Sequence, residues 1–139
     1  MEKTIIHDPI FLSIPSAYAV LSDPKDIETA DNLMDTLSAN KERCVGMAAN
    51  MIGVSKRIIV FDDAGRYSEM FNPEILSQSG AYETEEGCLS LDGVRRCRRY
   101  MKIKVRYQMR NGKQKVMNFT GRTAQIIQHE MDHCDGILI

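Results

Sequence analysis

The sequence predicts an α+β fold in which short antiparallel strands surround a central C-terminal helix, with another helix nearer the N-terminus. Three observations carry this reading. Apolar residues recur at helical spacing from Ile27 to Leu37, short apolar or alternating segments separated by turn residues fill 56–119, and a His-Glu-x-x-His segment ends the chain. A helix packed in or against several strands of this kind gives an α+β class. At 139 residues the chain is expected to form one domain, residues 1–139, large enough for a core without disulfide support.

The elements follow in order. Ser22-Asp23-Pro24 supplies a helix cap with Pro in the first turn, and Ile27, Ala30, Leu33, Met34 and Leu37 then mark one face as far as about Asn40. This amphipathic helix should cover a sheet. Lys56-Arg57-Ile58-Ile59-Val60-Phe61 reads as a buried strand, and Phe71-Asn72-Pro73 as the start of another. Met101 to Met109 alternates apolar with basic residues, and Asn111-Gly112 turns it into a strand through Val116 to Phe119. Thr120-Gly121-Arg122-Thr123 opens the last helix, with Thr123 expected as its cap. No Gly/Ser/Pro linker or internal repeat interrupts this order.

The last helix carries the chemistry. His129 and His133 are four residues apart, so on a helix they lie about 40° apart around the axis and project from one face. A transition metal can bridge that separation. A divalent metal lowers the pKa of a coordinated water from 15.7 towards roughly 7, and Glu130, beside one ligand, can take up the released proton. Catalytic sites of this type usually take three protein ligands. After His133 only Cys134 and Asp135 could coordinate, and Cys134 is turned about 100° from His133 and about 140° from His129. The third ligand is therefore expected upstream, among His7, Cys44, Cys88, Cys97 and several carboxylates. Cys88 stands in the most distinctive setting, Glu86-Gly87-Cys88-Leu89-Ser90, where Gly87 lets backbone approach a ligand closely. A Cys and two His suit iron(II), zinc, nickel or cobalt.

Together these residues resemble the peptide deformylases, which remove the formyl group from the initiator methionine of nascent bacterial and organellar chains. Gly46-Met47-Ala48-Ala49-Asn50-Met51-Ile52-Gly53 is similar to the family's Gly-Leu-Ala-Ala-x-Gln-x-Gly segment. Glu86-Gly87-Cys88-Leu89-Ser90 and Gln128-His129-Glu130-Met131-Asp132-His133 match the other two family motifs, with Phe71-Asn72-Pro73-Glu74-Ile75 between the first and second. The resemblance runs from about Ile27 to the end and implies a deformylase-like fold. It makes Cys88, His129 and His133 the ligands of one divalent metal, iron(II) in the cell with zinc, nickel or cobalt as substitutes. Glu130 becomes the general acid/base and the Leu89 N–H an oxyanion donor. Val45, Gly46, Gly87, Gln125 and Ile126 are expected to line the substrate site.

Four places depart from the family pattern. Met51 stands where a Gln side chain supplies the companion oxyanion donor, and a thioether cannot donate. Losing one such donor costs on the order of 10²–10³ in turnover. Cys44 replaces a glycine, and Leu91-Asp92-Gly93 replaces a Leu-Pro-Gly or Val-Pro-Gly. Gln125, where the family's helix is largely apolar, is expected to bring an amide into the pocket. Burying an amide without a partner is costly, which suggests a polar or water-filled pocket with weaker preference for methionine, the alternative being that Gln125 turns outward and Ile126 makes the contact. The leading expectation is thus a metal-dependent deformylase, with a catalytically weak or inactive homologue, or a hydrolase of another N-acyl peptide, as the alternative. A zinc endopeptidase of another family is disfavoured by the upstream Cys motif.

The remaining features point to a small cytoplasmic protein. The net charge of −1 is uninformative about partners. The four Cys show no secreted disulfide framework, so a reduced compartment is expected and Cys44, Cys97 and Cys134 read as incidental thiols. Met1 to Pro9 lacks the apolar core of a signal peptide, and no stretch approaches a membrane span. His7 reads as a surface residue, Met47 and Met51 as packing residues, and Asp132 as either an orienting partner for a ligand or a helix-solvating group. The basic run Arg95-Arg96-Cys97-Arg98-Arg99 with Lys102, Lys104 and Arg106 reads first as a solvated face. It also offers a contact for acidic peptide groups or ribosomal RNA. The implied partner is N-formylated nascent peptide, with transient ribosome contact and neither DNA nor a membrane.

Overall fold

The computed structural model describes residues 1–139. A short helix α1 (Pro9–Leu12) precedes α2 (Pro24–Ala39), then strand β1 (Gly46–Ala48) and a 3₁₀ turn (Ala49–Ile52). Strands β2 (Ile58–Asp63), β3 (Arg66–Cys88), β4 (Leu91–Gln108) and β5 (Gln114–Thr120) lead to α3 (Gly121–Cys134). The five strands form one antiparallel sheet in sequence order, which leaves β1 and β5 at its edges.

Strand β2 explains why the sheet is covered on both sides. Its run Ile58-Ile59-Val60-Phe61 is wholly buried, and alternate residues face opposite ways. Ile59 and Phe61 join Ile103, Val105 and Phe119 against Ala124, Ile127 and Met131 of α3. Ile58 and Val60 join Met47, Met51 and Phe71 against Ala30, Leu33 and Leu37 of α2. The helical stripe expected over 27–37 therefore covers the sheet, and Asp23 caps the helix by accepting from Lys25 N at 2.9 Å.

Three expectations need correction. The strands are not all short, since β3 runs 23 residues and β4 18. Strand β3 begins at Arg66, five residues before Phe71, and passes Pro73 at a register shift between Phe71 and Glu74. Proline lacks a ladder donor and is tolerated at such a bulge. Asn72 adopts φ 53 there and is held by paired hydrogen bonds to Ala19 N and Ala19 O. Thr123 does not cap α3, because the helix starts directly after β5 at Gly121, whose φ of 60 makes the corner. Helix α1, strand β1 and the 3₁₀ turn have no counterpart in the sequence reading. They are three or four residues long, too short for a periodic signal.

The end of α3 is fastened to the N-terminal segment. Ser16 N donates to Cys134 O at 2.8 Å, Arg57 pairs with Asp135 at 2.9 Å, and Gly136 turns away with φ 75. A Cβ at Gly136 would meet Ser13 O at 2.6 Å, and backbone there cannot yield as a flexible side chain would. Gly136→Ala should therefore destabilise the fold by about 1–3 kcal/mol, combining φ strain with this clash. Urea unfolding of the variant beside the wild type measures it.

Candidate active site

Helix α3 brings three buried groups to one face. His129, Glu130 and His133 have relative exposures of 8%, 4% and 0%, and the two imidazole centroids lie 5.1 Å apart. Cys88, the last residue of β3, brings Sγ to 3.2 Å from His133 Nε2. One ligand atom from each of Cys88, His129 and His133 lies within 4.8 Å of the other two. The chain thus joins the predicted trio from two elements 41 residues apart in sequence. A thiol and two imidazoles converging in a mostly buried position fit a divalent transition metal by donor type and spacing.

A carboxylate that the sequence reading missed fixes this arrangement. Glu86 Oε1 lies 2.7 Å from His129 Nδ1, which commits that nitrogen and leaves Nε2 as the ring atom available to a metal. Arg99 donates to both Glu86 oxygens, through Nη2 at 2.7 Å and Nε at 3.0 Å, and Gln125 Nε2 donates to Glu86 Oε2 at 2.8 Å. Arg99 Nη1 also donates to Asp132 Oδ2 at 2.8 Å. Asp132 is therefore linked to His129 by hydrogen bonds through Arg99 and Glu86, with no direct bond between the two. Glu86 was detectable, since it stands two residues before Cys88 in the same motif. Nothing local separates Arg99 from its neighbours Arg95, Arg96 and Arg98.

Burial and these bonds set the local charges. Burial alone would raise the Glu86 carboxyl, but hydrogen bonds from His129, Arg99 and Gln125 hold it well below the usual carboxylate range. Burial would lower His129, yet its bonds with Cys88 and Glu86 carry it up to about 10. His133 moves the other way, to about 3, through burial and the positive charges of His129 and Arg99. Glu130 is raised to about 7 by burial, and its Oε1 is buried without a partner. A cation bound by this trio displaces protons from it and reverses much of this balance.

A cleft of about 630 Å³ opens onto the group, lined by Cys88, His129 and Glu130. The expected residues Val45, Gly46, Met51, Gly87, Leu89, Gln125 and Ile126 all line it, while His133 lies behind the wall. Gly46 is there for closeness. A Cβ on it would stand 2.8 Å from Ile126 Cγ2 and 2.9 Å from Glu130 Oε2. Met51 is 1% exposed, and its Sδ accepts from Ala48 N at 3.5 Å. Asn50 turns from the cleft and donates to His133 O at 2.9 Å. The Gln125 amide finds its partner within the protein, donating to Glu86 Oε2 from the cleft wall.

Comparison with known proteins places the arrangement. The family model described as Polypeptide deformylase matches residues 4–139. The chain belongs to this family. A peptide deformylase of Clostridium beijerinckii is 52% identical over the full length of both chains. One from Carboxydothermus hydrogenoformans is 40% identical over 96% of this chain and 86% of that one. Among solved structures, a class I type b peptide deformylase from Acinetobacter baumannii bound to Met-Ala-Ser superposes with TM-score 0.89 at 29% identity. It covers 99% of this chain and 97% of its own. The family works with a divalent metal, and the Cys88, His129 and His133 cluster is the place in this chain that could hold one.

Glu130 gives a pH signature in the metal-free protein. Its folded pKa of about 7 lies above the ordinary 4.5, so the folded state binds this proton more tightly than the unfolded chain. Folding therefore loses stability as pH rises from the unfolded value through about 7, and the penalty is complete above that. Glu130→Gln removes the penalty. The metal-free variant should unfold at higher urea than metal-free wild type above pH 7, by roughly 3 kcal/mol at most. The two curves should converge below the unfolded carboxylate pKa.

Proposed function

We propose that this chain is a metal-dependent hydrolase that removes the formyl group from N-formylmethionyl peptides of nascent proteins. The observation that carries the reading is the convergence of Cys88, His129 and His133 beside Glu130 in one cleft, in a chain of the deformylase family. In this reading those three side chains hold the metal, which is iron(II) in the cell. When bound, the metal supplies Lewis-acid polarisation and acidifies water. Glu130, buried and raised to about 7, is placed to accept the proton from the attacking water and to pass it to the leaving amine. Glu86 holds the His129 ring through Nδ1. The Leu89 N–H receives the developing oxyanion.

The edge of β1 offers the peptide a place to lie. Asp62 N donates to Val45 O, and Gly46 and Ala48 stand opposite Phe61 and Ile59. Paired and unpaired positions alternate along an antiparallel ladder, so the N–H and C=O of Gly46 and Ala48 point away from β2. An extended peptide can pair with such an edge. Within this proposal, residues 1–139 act as one domain in the cytoplasm on emerging chains. Exposed basic residues of β4, such as Arg96 and Lys102, offer transient contact with ribosomal RNA. No helix is long and apolar enough to cross a membrane.

Met51 favours a second reading, a slow deformylase, because its buried thioether accepts from Ala48 N and offers no donor to an oxyanion.

Protein prepared anaerobically with iron(II) should release formate from formyl-Met-Ala-Ser. Cys88→Ala should lose bound metal on elemental analysis; full occupancy would remove Cys88 from the ligand set. Glu130→Gln should keep its metal and lose turnover.

Met51→Gln should raise kcat on the same peptide by about 10- to 100-fold, with a smaller change in KM, since an oxyanion donor acts chiefly in the transition state. An unchanged kcat would mean that another group already fills this role.

A further inference from the structure

Two sulfur side chains cover the outward edge of β1. Cys44 Sγ donates to Gly46 O at 2.9 Å, and Met51 Sδ meets Ala48 N at 3.5 Å. Both residues line the cleft that Glu130 and Cys88 also line. A polar group on the wall of this cleft is left unpartnered beside β1, since the buried Glu130 Oε1 has no partner and its companion Oε2 lies close to Gly46. Cys44 itself is half-buried, and the mechanism above makes no use of it.

We propose that the Cys44 thiol is a latch on the peptide-binding edge of β1, occupying the Gly46 carbonyl in the free enzyme and yielding it to a backbone N–H of the bound formyl peptide. The proposal rests on the deformylase reading and adds to it a residue that sets peptide affinity. The chemistry favours the exchange. A thiol is a weak donor and a peptide N–H a strong one, so the incoming ligand replaces the S–H···O bond with a better N–H···O bond. The released thiol needs only rotation about its Cα–Cβ bond. Burial, aided by the negative charge of Glu130, pushes the thiol up to about 12, so it remains a protonated donor throughout the neutral range. The latch weakens binding by the worth of the bond it surrenders, and it keeps the buried carbonyl satisfied when no peptide is present.

Two measurements on the full-length protein test this. In steady-state hydrolysis of formyl-Met-Ala-Ser by the iron(II) enzyme, Cys44→Ala should lower KM by about threefold to fivefold, as expected for one neutral hydrogen bond, and should change kcat by less. Cys44→Ser keeps a donor on the Gly46 carbonyl, so its KM should stay at or above the wild-type value. Infrared spectroscopy gives a readout that needs no turnover. The S–H stretching band of Cys44, identified by its loss in Cys44→Ser, should shift to higher frequency when Met-Ala-Ser saturates the wild-type protein. An unmoved band at saturation, or equal KM in folded Cys44→Ala and wild type, overturns the latch. Absence of formate release by wild type would instead overturn the deformylase reading. In that case the band shift with Met-Ala-Ser still decides the latch, and it does so even if Cys44→Ala fails to fold.

Discussion

The Glu86 carboxylate is where β3, β4 and α3 are tied together. It takes Arg99 from β4, Gln125 and His129 from α3, and it stands two residues from Cys88 on its own strand. Removing a carboxylate from water costs several kcal/mol, so such a group persists in a buried place only when its lone pairs are filled with good geometry. Here three side chains fill them. The same bonds that make the charge tolerable also fix the His129 ring, so the thiol of β3 and the imidazoles of α3 converge because the buried charge demands it. Stability and site geometry are one constraint in this region.

A second constraint is the closeness of β1 to α3. Gly46 has no side chain, and the space a Cβ would occupy is taken by Ile126 and Glu130. This contact adds to the burial of Glu130, and burial is the main cause that raises its carboxyl to about 7. A proton acceptor works best with a pKa near the working pH. The environment of this carboxyl is therefore set in part by a glycine on another element. Strand β1 holds that position because β2, buried on both faces, pins it in register between the α2 and α3 cores.

The chemistry was legible in the sequence wherever residues close in sequence carry it. The His-Glu-x-x-His spacing needs only the helical repeat to put two imidazoles on one face. The stripe from Ile27 to Leu37 needs only the same repeat to identify a helix that covers a sheet. The unbroken apolar run of β2 identifies a strand buried on both sides. With the Glu-Gly-Cys-Leu-Ser and Gly-Met-Ala-Ala segments, these local signals were enough for the family and its α+β class.

Pairings between distant residues were not legible. The role of Arg99 depends on register, which turns this one arginine of the basic run inward to Glu86 and Asp132 while Arg98 faces solvent and Glu83. The partner of the Gln125 amide lies 39 residues away on β3, beyond the reach of any local signal. The true length of β3 and β4 was hidden because their stretches 76–85 and 92–98 are mostly polar and largely exposed, without an apolar alternation to mark them. Sequence by itself determined which side chains could bind a metal and move a proton, because that follows from residue type and local periodicity. Only the tertiary structure decided which charges are buried, which backbone groups of β1 face outward and which sulfurs cover them, because register and burial are properties of packed elements and not of any one of them.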